Sequence, residues 1–141
     1  MIGKIQIKNL LMATLAAIKS GLDLNSIAKS MIKIKPAEGR LENIGHLKNN
    51  SKVILDYAHT PDALKTILTN IKDQFPHTKI RLVFGCGGDR DKSKRLKMGR
   101  IAEKFADIIY LTDDNPRTES PKKIRNDIKK GIRKNKIKEI P

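Results

Sequence analysis

Short apolar, β-branched runs alternate with amphipathic helical stretches three times between Val53 and Ile132, and that rhythm constrains the fold more than any other feature. Val53-Ile54-Leu55 reads as a buried strand. Pro61 to Phe75 follows as a helix, with Thr60 as its N-cap, Pro61 at the first helical position, and Leu64, Ile67, Leu68 and Ile71 as its apolar stripe. Ile80 to Phe84 is the next strand and Lys94 to Phe105 the next helix. Ile108 to Leu111 is the third strand. Pro121 to about Ile132 is the third helix, with Ser120 as cap and Ile124 and Ile128 facing inward. Strand and helix repeated in this way predict an α/β fold: a parallel sheet with flanking helices, joined by right-handed crossovers.

The chain before this region has a different rhythm. Asn9 to Ser20 has Leu11, Leu15 and Ile18 on one face and predicts an amphipathic helix that Gly21 ends. A shorter helix is expected from about Leu24 to Ile34, capped by Asp23 or Asn25. Pro36 and Gly39 break both periodicities, so Lys35 to Arg40 reads as a linker. The expected division is therefore a helical segment plus linker over 1–38 and an α/β domain over 39–141. Lys129 to Pro141 is basic and weakly periodic, and reads as a frayed tail. From Pro121 to the end there are nine basic and two acidic residues, which concentrates positive charge there.

The whole chain carries 30 basic against 15 acidic residues, a formal net charge of +15. Such an excess suits either a solvated surface or an anionic partner, and a cationic nucleic-acid-binding module is the alternative it raises. No aromatic residue lies in the basic tail to stack on a base, so nucleic acid is not the expected partner. Cys86 is the single cysteine, which excludes an internal disulfide and a cysteine–histidine metal cluster. A reducing, cytoplasmic setting is expected. The first residues lack a signal-peptide apolar core, and no run approaches the ~20 apolar residues that span a bilayer, so no membrane role is expected.

Two loops carry the chemistry. Gly85-Cys86-Gly87-Gly88-Asp89-Arg90 follows a strand but is neither a dinucleotide fingerprint, since position 90 is Arg, nor a phosphate loop. Its glycines permit a sharp turn that leaves Asp89, Arg90 and Asp91 exposed at the carboxyl end of the sheet, where open α/β sheets bind ligands. A guanidinium there can take a carboxylate in bidentate fashion. Asp113-Asp114-Asn115-Pro116-Arg117 follows the next strand and presents carboxylate, amide and guanidinium in order, a set that can satisfy an amino acid's ammonium and carboxylate together. A solvated charge cluster on a tight turn and an Asx-type turn remain open for these two loops. Asp56 ends the first strand, a position that commonly holds a ribose hydroxyl. His59 suits an acid–base or a hydrogen-bonding duty, or a structural one before the helix cap.

In combination, Gly39-Arg40-Leu41-Glu42, Asp56 to Ala63, Phe84 to Arg95 and Thr112 to Thr118 resemble, in order, the Mur ligases, and within them the branch that adds 2,6-diaminopimelate. The resemblance runs from about Asn9 to Ile132. It implies a Rossmann-like Mur ligase C-terminal domain over 39–141, preceded over 1–38 by a helical remnant of the central ATPase domain. It implies part of an ATP-dependent amide ligase of peptidoglycan precursor synthesis, which joins meso-diaminopimelate to UDP-MurNAc-L-Ala-D-Glu through an acyl phosphate. Arg90, Asp114, Asn115, Pro116 and Arg117 match the family's diaminopimelate-binding positions, and Arg40, Asp56 and His59 match nucleotide-binding ones. ATP and Mg2+ are the cofactors of the full-length family. These 141 residues contain no Gly-Lys-Thr/Ser phosphate loop and no Gly-Lys-Gly-His-Glu segment. The expectation is therefore a truncated chain with no catalytic or metal-binding residue of its own, no tight cofactor binding and no turnover alone. Meso-diaminopimelate and ATP are its implied partners, with a separately encoded N-terminal or central ligase piece as a further one.

Overall fold

The computed structural model describes residues 3–133 and 136–140, and the chain divides into two compact units, Met1–Tyr57 and Ala58–Pro141.

In the first unit, α1 (Lys4–Lys19) precedes α2 (Leu24–Met31). The Asp23 carboxylate caps α2 by accepting from the Asn25 and Ser26 amides at 2.9 and 3.0 Å, which leaves two of the helix's orphan donors satisfied. α1 starts five residues before the expected Asn9, and its apolar positions Leu11, Leu15 and Ile18 are exposed. α2 stops at Met31 rather than Ile34. A hairpin of β1 (Glu42–His46) and β2 (Lys52–Leu55) completes the unit, with Asn43 opposite Ile54 and a bulge before Gly45. Val53-Ile54-Leu55 is thus a strand, but not a buried member of a parallel sheet. It pairs antiparallel with β1, and Leu55 is 49% exposed.

The second unit is built from α3 (Pro61–Gln74), β3 (Arg81–Phe84), α4 (Ser93–Phe105), β4 (Ile108–Thr112), α5 (Pro121–Lys129) and β5 (Ile137–Ile140). Its three strands form a parallel sheet in the order β3-β4-β5, with Arg81 opposite Ile108 and Ile109 opposite Ile137. α4 and α5 are the crossover connections, as βαβ units require. The sheet and flanking helices match the expected fold class. Its third strand, however, is β5, which forms inside the stretch expected to fray. Arg125 and Lys129 of α5 both pair with Glu139 and hold that strand's otherwise polar face. Residues 134, 135 and 141 of the tail, like 1 and 2, lie outside the described residues.

The core fills the space between helices and sheet with Leu64, Leu68, Met98, Ala102, Ile109, Leu111, Ile124 and Ile128, each no more than 4% exposed. Thr60 caps α3 through its hydroxyl on the Ala63 amide, with Pro61 in the first turn. Ser120 precedes α5 in extended conformation but makes no side-chain cap bond. α4 packs between α3 and α5. At the α4–α5 crossing two glycines, Gly99 and Gly131, let the backbones approach. A Cβ on Gly99 would lie 3.2 Å from Gly131 Cα and would run into the Ile128 carbonyl.

Candidate functional site

Because β3 and β4 are parallel neighbours, the loops leaving their carboxyl ends emerge side by side. These are the β3–α4 loop, residues 85–92, and the β4–α5 loop, residues 113–120, and they interlock. The Gly88 amide donates to the Asn115 carbonyl at 2.9 Å, and Arg117 Nη1 returns a bond to the Gly88 carbonyl at 2.7 Å. The Asp89 amide donates to Glu119 Oε1 at 2.7 Å. The Asp89 carboxylate accepts from the Thr118 hydroxyl at 2.9 Å and its amide at 3.1 Å. Gly88 is required for this approach, since a Cβ there would collide with the Pro116 carbonyl.

Arg90, Asp114, Asn115 and Arg117 are exposed and Pro116 half-buried. The fold brings all five onto this one pair of loops. Their side chains are not equally available. Asn115 Oδ1 accepts from the Arg117 amide at 3.2 Å, and Asp114 Oδ1 from the Asn115 amide at 2.7 Å. The carboxylates flanking Arg90 serve the loop itself: Asp89 holds Thr118, and Asp91 accepts from the Ser93 amide at 2.8 Å. The Ser93 contact keeps Asp91 below the ordinary carboxylate range.

Arg40 and Asp56 belong to the first unit. Arg40 lies over the Tyr57 ring at 5.7 Å, and Asp56 Oδ2 accepts from the Leu41 amide at 2.8 Å. Leu41 has φ 48, so this carboxylate supports a left-handed turn that is unfavourable for a leucine. His59 belongs to the second unit. It is exposed, and its carbonyl accepts from Lys94 Nζ at 2.9 Å.

Residues 39–141 match the family described as Mur ligase, glutamate ligase domain. The chain belongs to the Mur ligase family. The UDP-N-acetylmuramoyl-L-alanyl-D-glutamate–2,6-diaminopimelate ligase of Rickettsia felis is 46% identical over 140 residues, which cover 99% of this chain and 26% of that protein. The ligase of the same name from Buchnera aphidicola is 45% identical over 142 residues, covering 100% of this chain and 28% of that one. A solved structure of a 2,6-diaminopimelate ligase superposes with TM-score 0.69 at 39% identity, over 99% of this chain and 28% of the other. The folylpolyglutamate synthase of Thermotoga maritima shares the fold, with TM-score 0.77 at 24% identity. The chain spans about a quarter of the length of the curated relatives it matches.

Within this Mur ligase domain one pair of residues at the loop junction escaped the sequence reading. Arg95 is fully buried and Glu119 nearly so. Arg95 forks onto Glu119 with bonds of 2.8 and 3.0 Å, and reaches Asp127 at 3.3 Å and the Gly87 carbonyl at 3.4 Å. The signal was an arginine on the apolar side of a helix, one position before Leu96 and three before Met98. Charge patterning alone does not distinguish it from its exposed neighbours Lys92 and Lys97.

The Arg95 guanidinium, aided by the Asp89 amide, holds the Glu119 carboxyl down at about 2 from an ordinary 4.5. Lys130 and then Arg95 lower Asp127, and Lys129 and then Arg125 lower Glu139. Each folded carboxyl sits below its unfolded value. Their stabilisation is therefore complete above about pH 4.5 and lost as pH falls through the folded value, toward about 2 for Glu119. The melting temperature is expected to be flat from pH 7 to 5 and to fall steeply below 4.5. Glu119→Gln should start lower and fall less. Melts followed by circular dichroism across that range test this, and equal slopes for the two proteins would contradict it.

Proposed function

We propose that this chain supplies the amino-acid-gripping part of an ATP-dependent ligase that joins meso-diaminopimelate to UDP-MurNAc-L-Ala-D-Glu in peptidoglycan precursor synthesis. The observation that carries the reading is the interlocking of the two loops that bear Arg90 and Arg117, at the carboxyl ends of adjacent parallel strands. Diaminopimelate differs from lysine in having a second carboxylate at its far end. A guanidinium recognises a carboxylate by two parallel hydrogen bonds, which an ammonium cannot offer. Arg117 keeps Nη1 on the Gly88 carbonyl, so its orientation is set before a ligand arrives. Asp114, Asn115 and Pro116 shape the turn that carries it, and the Asp114 carboxylate is the group suited to the far ammonium.

On this reading Arg40, Asp56 and His59 approach the nucleotide, and residues 1–38 form the end of the central domain of the longer ligases. The 141 residues include no loop that cradles phosphates, so phosphoryl transfer belongs to other segments of such a ligase, with ATP and Mg2+ held there.

The test is titration of the chain with meso-diaminopimelate and with lysine, following backbone amide signals. Diaminopimelate should move the signals of both loops at concentrations where lysine does not. Arg117→Ala and Arg90→Ala should each weaken binding by about tenfold or more, the cost of a charge-assisted pair. Equal responses to the two amino acids would refute the reading. The +15 charge favours one other reading, a nucleic-acid-binding module. That reading predicts retention on DNA that falls steeply with salt and is indifferent to Arg117→Ala.

A further inference from the structure

Among the described residues of the second unit, two non-glycine residues have positive φ: Asp89 at 50° and Arg117 at 51°. Such a conformation costs on the order of 1 kcal/mol for a residue with a Cβ, and persists where the surroundings over-determine it. Both lie at the loop junction, one immediately before Arg90 and the other at the second guanidinium. What determines Asp89 comes from the opposite loop: its amide is taken by Glu119 and its carboxylate by Thr118. Glu119 is in turn fixed by a fully buried arginine that rises from α4. Arg95 Nε has no hydrogen-bond partner among the described residues. The guanidinium thus leaves one donor unmet in order to keep its other two nitrogens on Glu119, Asp127 and Gly87.

We infer that Glu119 is a positioning residue for the diaminopimelate site: clamped by Arg95, it locks Asp89 in its left-handed turn and so sets where Arg90 stands relative to Arg117. The inference rests on the substrate reading above for its ligand, but not for the lock. Arg95 and Glu119 touch no ligand in this scheme. They act by removing the freedom of the β3–α4 loop to slide along the β4–α5 loop. Two guanidiniums that must meet groups on one small molecule tolerate little error in separation, because a displaced loop weakens both charge-assisted contacts at once.

The test uses the full chain with two variants, Glu119→Gln and the double variant Arg95→Met with Glu119→Gln. The double variant removes both buried charges together, which avoids stranding one of them. Two readouts separate the questions. Without ligand, amide hydrogen exchange at Asp89 and Thr118, whose amides donate to Glu119 and Asp89, should quicken by about tenfold or more in the variants, while Ile109 and Leu111 in β4 keep their wild-type rates. With ligand, meso-diaminopimelate affinity should fall by about tenfold or more, the cost of a charge-assisted pair, and discrimination against lysine should shrink.

Wild-type exchange rates at Asp89 and Thr118 in the double variant would overturn the inference, whatever the ligand does. A wild-type chain blind to diaminopimelate would instead remove the substrate reading, while the exchange result still decides the lock. Should both variants unfold, the wild-type protein answers by itself. The Glu119 carboxyl carbon should titrate near 2, and a midpoint at the ordinary 4.5 would overturn the clamp.

Discussion

Gly99→Ala is expected to lower the melting temperature of the chain by about 7–10 °C, from a loss of roughly 2–3 kcal/mol. The reason lies in the crossing of α4 and α5. The added methyl would run into the Ile128 carbonyl and lie 3.2 Å from Gly131 Cα, both of them backbone atoms. Backbone cannot rotate aside as a flexible side chain can. α5 must therefore move outward, and it carries Ile124 and Ile128 with it, two of the most buried residues of the core. Alanine's better helix propensity returns about 1 kcal/mol, which is too little to reverse the sign. Gly131→Ala should act in the same direction, since its methyl would meet Leu96 and Arg100 backbone atoms. The double variant should cost less than the sum, because helices already parted have no further close contact to lose. Thermal melts of the three variants decide the matter, and an unchanged melting temperature for Gly99→Ala would show that the helices do not cross on these glycines.

Gly88→Ala should do the opposite: spare the core and abolish recognition. Its methyl would collide with the Pro116 carbonyl and lie 3.2 Å from Pro116 Cα. Here the obstacle is half-buried Pro116 in a loop whose neighbours Asn115 and Arg117 are exposed, so the loop can yield without moving a core helix and the stability cost should stay near about 1 kcal/mol. The yielding is what matters. Both bonds between Gly88 and the other loop, to Asn115 and from Arg117, depend on the close approach. With the loops parted, meso-diaminopimelate affinity should drop by about a hundredfold, as two guanidinium contacts of about tenfold each are lost. A calorimetric or amide-signal titration beside a thermal melt distinguishes the two effects. Wild-type affinity in Gly88→Ala would mean that the loops hold their ligand independently of each other.

The contrast between these two glycines marks what sequence reading could reach. Gly88 lies in a glycine-rich turn after a strand, a pattern with a local meaning that is legible in the sequence. Gly99 lies inside a helix where glycine is merely unfavourable, and its purpose depends on Gly131, 32 positions away. The same holds for Arg95. Its identity is plain in the chain, but its burial follows from α5 and Glu119 closing over it. The two strand errors have a related origin. Val53-Ile54-Leu55 is the more apolar segment and reads as a buried strand of the parallel sheet, yet its partner is β1. Ile137-Lys138-Glu139-Ile140 has a polar face and reads as a tail. β4 on one side and the Arg125 and Lys129 pairs with Glu139 make it a strand.

Sequence by itself determined where the helices lie to within a turn or so, the cap at Thr60, the strands β3 and β4, and the two loops that bear Arg90 and Arg117; it left the cap of α2 open between Asp23 and Asn25, and the Ser120 side chain makes no cap bond. Those features depend on neighbours within a turn or two, where apolar spacing, capping oxygens and proline act directly on the backbone. Only the tertiary structure decided that Gly88 seats under Pro116, that Asp89 answers to Glu119 and Thr118, and that Arg95 closes the junction from inside. Those bonds join residues that only parallel pairing of β3 with β4 brings side by side, and that pairing is settled by which apolar faces bury each other.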